Sequence, residues 1–155
     1  MGEAGVAADG GAVRQTQYRD LWVLTAACPR TGAAEGLISP SLNTGVVNTF
    51  LAQFSASLGP DVHAVLIWDG AGFHTADALR VPGNVSVIRL PPRSPELMPV
   101  EHLWHYQREH HGANREYADY AALEPAARDG WRAVCLDPEK VKTVCAAPYL
   151  DERAN

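Results

Sequence analysis

The sequence predicts a single α/β domain, and three observations lead to that prediction. The chain has 155 residues, of which 46% are hydrophobic, which suits one domain with a buried core. Short apolar runs with β-favouring residues occur in both halves of the region before residue 91. Segments with helical spacing or helix start signals alternate with these runs from residue 43 onward, as is typical of α/β domains.

Two strands are predicted first, at 21–28 and 34–39, separated by Pro29 and the turn residues Thr31 and Gly32. A helix should follow over 43–58. Asn43 is favoured at a helix start, and Gly59 and Pro60 end the pattern. Its apolar residues recur at three- and four-residue spacing, so they should pack on the sheet as one stripe: Val46, Val47, Phe50, Leu51, Phe54 and Leu58.

The second half continues the alternation. Residues 63–68 form a continuous apolar run, which favours a strand buried on both faces, and 84–90 predicts another strand. A short helical piece is expected at 75–79. Helices are predicted at 99–111 and 117–134, and Pro125 should kink or split the second.

Composition bounds the domain organisation and the setting. We expect a flexible segment at 1–12, one domain at 13–150 and a tail at 151–155. No apolar run is long enough to span a membrane, and the first residues lack the features of a signal peptide. Three cysteines are too few for a disulfide framework, so a reducing, cytoplasmic setting is expected.

The charge balance constrains any role in nucleic-acid binding. The formal net charge is −5, whereas a domain that binds nucleic acid through bulk charge is usually basic. All of the 13 cationic side chains except Lys140 and Lys142 are arginines, which suit directed phosphate contacts. Binding to DNA would therefore require a local site.

Two carboxylates stand out by their place in the pattern. Asp69 follows the apolar run 63–68, at a strand end where α/β sheets form sites, and Glu101 lies in the first turn of the helix that Pro99 opens. Each also has an ordinary explanation. Asp69 with Gly70 is a common turn, and an acidic side chain near a helix N-terminus is favoured by about 0.3–1 kcal/mol.

The sequences around these two residues carry a specific motif. Residues 66–74 read LIWDGAGFH, and residues 87–104 read VIRLPPRSPELMPVEHLW. Together they resemble the catalytic domain of insertion-sequence transposases of the mariner superfamily, which are DDE superfamily endonucleases with a ribonuclease H-like fold. The 32-residue separation of Asp69 and Glu101 matches that family, and the resemblance extends from about residue 13 to residue 147.

The resemblance implies a mixed sheet flanked by helices and a two-metal phosphoryl transfer that cuts and joins DNA. Asp69 would bridge two Mg²⁺ or Mn²⁺ ions, and Glu101 would hold the second ion, because such hard cations take oxygen ligands. The implied partners are transposon-end and target DNA, and a second copy or a full-length transposase. The candidate DNA contacts are His74, Arg93, His105 and Arg108.

The sequence also departs from the family pattern. The family's first Asp ends a strand upstream of 21–28, a region that this chain nearly lacks. Gly2 stands where that Asp belongs, so Glu3 and Asp9 are the remaining candidates for the third ligand. The missing strand would lie between the second and fourth strands of the sheet. We therefore expect a truncated domain that corresponds to the C-terminal part of the family's catalytic domain and is inactive alone.

Two other functions remain open from the sequence. The chain can be a remnant that binds DNA or full-length transposase without catalysis. It can also be an unrelated metal-dependent hydrolase, because four histidines lie on or just after the Glu101 helix. No cysteine joins them, which favours surface and groove positions over a zinc site: His102, His105, His110 and His111.

Overall fold

The computed structural model describes residues 21–68, 77–91, 97–112, 117 and 119–146. It is a mixed α/β arrangement whose four strands form two separate two-stranded sheets within these residues. The strands are β1 (Trp22–Ala27), β2 (Ala34–Ser39), β3 (Ala64–Trp68) and β4 (Val85–Arg89). The helices are α1 (Thr44–Ser57), α2 (Val100–Gln107), α3 (Tyr120–Cys135) and α4 (Pro138–Val144), and a π-helical turn at Arg108–Gly112 continues α2. No described helix is both long and apolar enough to cross a lipid bilayer.

Strands β1 and β2 form an antiparallel hairpin in which Leu24 is opposite Leu37. The turn is closed by the Cys28 amide, which donates to the Ala33 carbonyl at 2.8 Å. Gly32 in this turn has φ +76°, and a Cβ there would come within 2.1 Å of the Pro138 carbonyl oxygen. Glycine is therefore required at this position both by the backbone conformation and by the close approach of α4.

Helix α1 matches its sequence prediction to within one residue at each end. The Asn43 side chain accepts a hydrogen bond from the Val46 amide at 3.0 Å and so caps the first turn. The predicted stripe is buried at Val47, Phe50 and Leu51, and the rest of the stripe is partly buried. The prediction that this face packs on the sheet is confirmed.

Helix α1 contacts both sheets. Gln53 donates to the Gly36 carbonyl of β2 at 2.9 Å, and Ser55 lies 2.6 Å from Asn84, just before β4. The first core cluster consists of Val47, Leu51 and Trp68, against which leucines of both β1 and β3 pack: Leu24 and Leu66. The helix thus links the hairpin to the second pair of strands.

Strands β3 and β4 are parallel, with Leu66 beside Val87. The prediction that β3 is buried on both faces is wrong. Trp68 is only 7% exposed, but Val65 and Ile67 on the other face are 59% and 48% exposed. Helices α2 and α3 contact the hairpin and not the exposed face of β3. A local run of apolar residues does not indicate which strand a helix later in the chain will cover, so the sequence could not predict this exposure.

The second core cluster lies among α2, α3 and α4. Its buried members are Leu103, Val134, Cys135, Val141 and Cys145, and the hairpin residues Ala27 and Ala34 pack against it. Burial raises the pKa of the Cys135 thiol to about 12, with a smaller contribution from Cys145, whose own pKa burial raises to about 11. These thiols are therefore neutral core residues at ordinary pH.

The two C-terminal predictions are correct in place but not in detail. The helix expected at 99–111 is an α-helix to Gln107 and then widens into the π-helical turn. The helix expected from 117 begins at Tyr120, after its cap Asp119, and is not split at Pro125. Pro125 removes one backbone hydrogen bond near the start of α3. The C-terminal half of α3 is buried against the second cluster, and this burial favours the continuous helix.

Helix α4 was not predicted. The piece expected at 75–79 is described only from residue 77, where a turn is found.

Candidate functional site

Glu101 lies in the first turn of α2 with its side chain exposed to solvent. Its backbone amide donates to the Met98 carbonyl at 3.0 Å, so the segment just before the helix fixes the turn that carries it. The packing of α2 against the second core cluster, through the buried Leu103, fixes the helix itself. The carboxylate is therefore held on a rigid element and is accessible to an ion or to a DNA phosphate.

Asp69 directly follows Trp68, the last residue of β3, and lies outside the described residues. Trp68 is buried on α1, and its carbonyl accepts a hydrogen bond from the Leu90 amide at 2.9 Å. These two contacts therefore fix the end of β3, directly before Asp69. The convergence of Asp69 with Glu101 stays a prediction.

Of the other predicted site residues, some lie outside the described residues and some lie on α2 or the turn that continues it. Glu3, Asp9, His74 and Arg93 lie outside the described residues. His105 is exposed and lies 2.9 Å from Glu109, one turn further along. Arg108 is exposed at the start of the π-helical turn, and no ion pair involves it within the described part of the chain. Both of these basic residues stay candidates for DNA contact.

The four histidines do not form a common ligand set. His105 pairs with Glu109, and the His110 ring lies against Tyr106, with ring centroids 4.2 Å apart. His102 is exposed, and His111 is partly buried on a different side of the turn from these contacts. In the described residues, no group of three or more His, Cys, Asp or Glu side chains is arranged to hold a metal ion.

Glu101 also lines a cleft of about 450 Å³ between α2 and α3. On the α2 side the cleft is bounded by Trp104, Gln107, Arg108 and His111, which recur along one face of the helix and its π-helical turn. On the α3 side the cleft is shallow, because most of the α3 residues that line it are small: Ala126, Ala127 and Gly130. A Cβ on Gly130 would come within 3.3 Å of the His111 Cβ, so glycine allows the two helices to approach.

Sequence reasoning identified Glu101 and Arg108 but missed the cleft that joins them. Trp104 is only partly buried and lines it. The signal was present in the spacing of residues 101, 104 and 108, which share one helical face. That face is polar and aromatic and not uniformly apolar, so it differs from an ordinary core stripe.

Comparison with known proteins identifies the family. Residues 4–124 match the family model described as DDE superfamily endonuclease, a range that contains both Asp69 and Glu101. The chain belongs to the DDE superfamily endonuclease family. It is also 37% identical over 123 residues to the uncharacterized protein y4pE/y4sA of Sinorhizobium fredii (strain NBRC 101917 / NGR234), covering 79% of this chain and 91% of that relative. No solved structure matches the chain.

Membership of the DDE family suggests a transposase-like function with DNA as substrate and divalent metal ions as cofactors. Glu101 fits this chemistry as one ligand, because an accessible carboxylate is the kind of oxygen donor that Mg²⁺ and Mn²⁺ take. The remaining proposed ligand, Asp69, falls within the matched range directly after β3.

Proposed function

We propose that this DDE domain derives from an insertion-sequence transposase of the mariner superfamily and is its C-terminal catalytic portion. The family match over residues 4–124 carries the proposal, together with the 32-residue spacing of Asp69 and Glu101. The family reaction is cleavage and transfer of DNA strands by two-metal phosphoryl transfer. In the proposed site, Asp69 and Glu101 would hold the metal ions through their carboxylate oxygens.

The sheet topology of the described residues supports a ribonuclease H-like fold whose first strand is not among them. In that fold the first strand lies between the second and the fourth. An antiparallel hairpin (β1 and β2) and a separate parallel pair (β3 and β4) are what would be left without it. Helix α1 contacts both pairs, as expected of a helix that packs across one sheet.

The protein residues have separate tasks in the proposed reaction. Two bound divalent cations would stabilise charge on the attacking and leaving oxygens of the phosphodiester. Glu101 offers its carboxylate from the first turn of α2, where solvent and DNA can reach it. Arg108 lies seven residues further along, roughly 10 Å at about 1.5 Å per residue, and can neutralise a neighbouring phosphate.

Metal binding by the two carboxylates tests this proposal directly. Mn²⁺ binding to the full chain is measured by calorimetry and by electron paramagnetic resonance, with Asp69→Asn and Glu101→Gln compared with wild type. Glu139→Gln is the matched control, because Glu139 is also an exposed acid in the first turn of a helix but lies on α4. We expect both site variants to weaken Mn²⁺ binding severalfold and the control to leave it unchanged. Equal binding by all four proteins would refute the proposed ligands.

A further inference from the structure

The cleft between α2 and α3 has the size and lining of a ligand site. Its volume of about 450 Å³ falls within the roughly 300–1,000 Å³ of typical small-ligand pockets. Partly buried aromatic side chains, Trp104 and Tyr117, line it together with Leu123 and the small residues of α3. The cleft therefore offers aromatic faces beside a shallow apolar surface, which suits a flat, unsaturated ring.

The polar residues of the cleft differ from the other charged residues nearby. Arg108 is exposed and has no ion-pair partner in the described chain, whereas Arg128 on α3 pairs with Glu124. His105 pairs with Glu109 outside the cleft, while His111 lines it. Arg108 and His111 are thus the basic side chains available to an anionic group bound in the cleft, and Gln107 adds a neutral donor.

We propose that this cleft binds one unpaired nucleotide of single-stranded DNA. Its base would lie against Trp104 and Tyr117, and its phosphate would be bound by Arg108 and His111. Stacking on aromatic side chains and a positively charged neighbour are the two elements of sequence-tolerant single-strand binding. The choice of DNA over another polyanion rests on the proposed function. Glu101, a proposed metal ligand for DNA cleavage, lines the same cleft.

A base in a duplex is a poor fit to this site. Its two faces are covered by the neighbouring base pairs, so an aromatic side chain can stack on it only after it has left the helix. A duplex would contact the cleft only through its backbone, which leaves the apolar surface of Leu123 and the alanines unused. The geometry therefore favours an unpaired base close to the strand that is cut.

The first test compares binding of short fluorescent oligonucleotides, single-stranded and duplex, to the full chain in EDTA. Trp104→Ala should weaken single-strand binding by roughly 5- to 150-fold, the loss expected for one stacked base. Trp22→Ala is the control, because Trp22 is also a partly exposed tryptophan, 41% accessible, but lies on β1. Trp104→Phe keeps an aromatic ring and should retain most of the affinity, so it separates loss of stacking from loss of folding.

The second test uses the salt dependence of binding. Arg108→Gln should reduce the slope of log K against log salt concentration by about 0.7, the value for one phosphate contact to a single strand. Arg128→Gln, which removes an arginine already paired with Glu124, should leave the slope unchanged.

The outcomes separate this inference from the proposed function. Because EDTA removes divalent ions, oligonucleotide binding is independent of the proposed metal ligands. Single-strand binding that depends on Trp104 and Arg108 supports the cleft even if Mn²⁺ binding fails. Tighter binding of duplex than of single strand would overturn it, as would equal effects of the site variants and their controls. Deoxyadenosine monophosphate that binds as tightly as the oligonucleotide would also overturn it, since the cleft would then be a site for free nucleotides.

Discussion

Leu51 is the residue whose truncation should most directly test how the two sheets are held together. It is completely buried on α1 and belongs to the cluster with Val47 and Trp68, against which residues of both sheets pack. Replacing it by Ala removes three carbon atoms from the middle of this contact. Because side chains from four elements surround the cluster, we expect little collapse into the space.

The magnitude follows from burial and cavity formation. Three buried carbons at about 0.8 kcal/mol each amount to roughly 2.4 kcal/mol of lost transfer free energy. A residual cavity of about 60 Å³ adds roughly 1.4 kcal/mol at about 24 cal/mol per Å³. The expected loss for Leu51→Ala is therefore about 4 kcal/mol, a large part of a domain stability of about 5–15 kcal/mol.

Urea unfolding followed by circular dichroism measures this loss. The matched control is Leu136→Ala, the same substitution at a leucine that is 59% exposed after α3, where we expect a change within about 0.5 kcal/mol. A loss below about 1 kcal/mol for Leu51→Ala, or one equal to that of the control, would refute the packing of both sheets on α1.

Three further predictions concern stability, pH and activity. Phe50→Ala should cost about 3–5 kcal/mol in urea unfolding, because Phe50 is buried and stacks on Phe54; less than about 1 kcal/mol would contradict this. Burial raises the pKa values of Cys135 and Cys145, so the stability that the two neutral thiols contribute should be fully present below about pH 9 and be lost as the pH rises toward 11–12; a Cys135→Ala/Cys145→Ala variant should lose this part of the pH dependence. The purified chain should neither nick nor join transposon-end DNA in Mg²⁺ or Mn²⁺, which a gel assay checks; cleavage abolished by Asp69→Ala or Glu101→Ala would show that a third ligand, Glu3 or Asp9, is in place.

Elements with strong local signals could be predicted from the sequence. Helix α1 has a capping residue, an apolar stripe and a Gly59–Pro60 end, and β2 lies at the predicted residues. Helix α4 also has local signals, a capping Asp137 followed by Pro138, but its short, mixed pattern did not stand out beside α3. Local chemistry is therefore sufficient to place the longer elements, although not to predict the continuity of α3 or the end of α2.

Features that depend on distant contacts could not be predicted. The exposed face of β3 depends on which strands the later helices cover, and the cleft joins residues from 101 to 130. The π-helical turn after Gln107 changes the direction of the side chains that follow, so simple helical spacing does not place His111. Of the candidate site, the sequence predicted the helix whose first turn carries Glu101, but not the aromatic surface beside it.

The two proposed metal ligands are carried by different parts of the fold. Asp69 follows β3, which packs on the first core cluster, whereas Glu101 lies on α2, which packs with the hairpin on the second cluster. Within the described residues no strand pairs with both β1 and β3, and α1 joins the two parts through side chains. Side-chain packing fixes a distance less firmly than backbone hydrogen bonds to a shared strand, and a misplacement of about 1 Å can cost about 100-fold in rate. A sheet divided in this way would loosen the two carboxylates relative to each other, which is a physical reason, separate from Gly2 standing at the expected position of the first Asp, behind the prediction that the chain does not cut DNA.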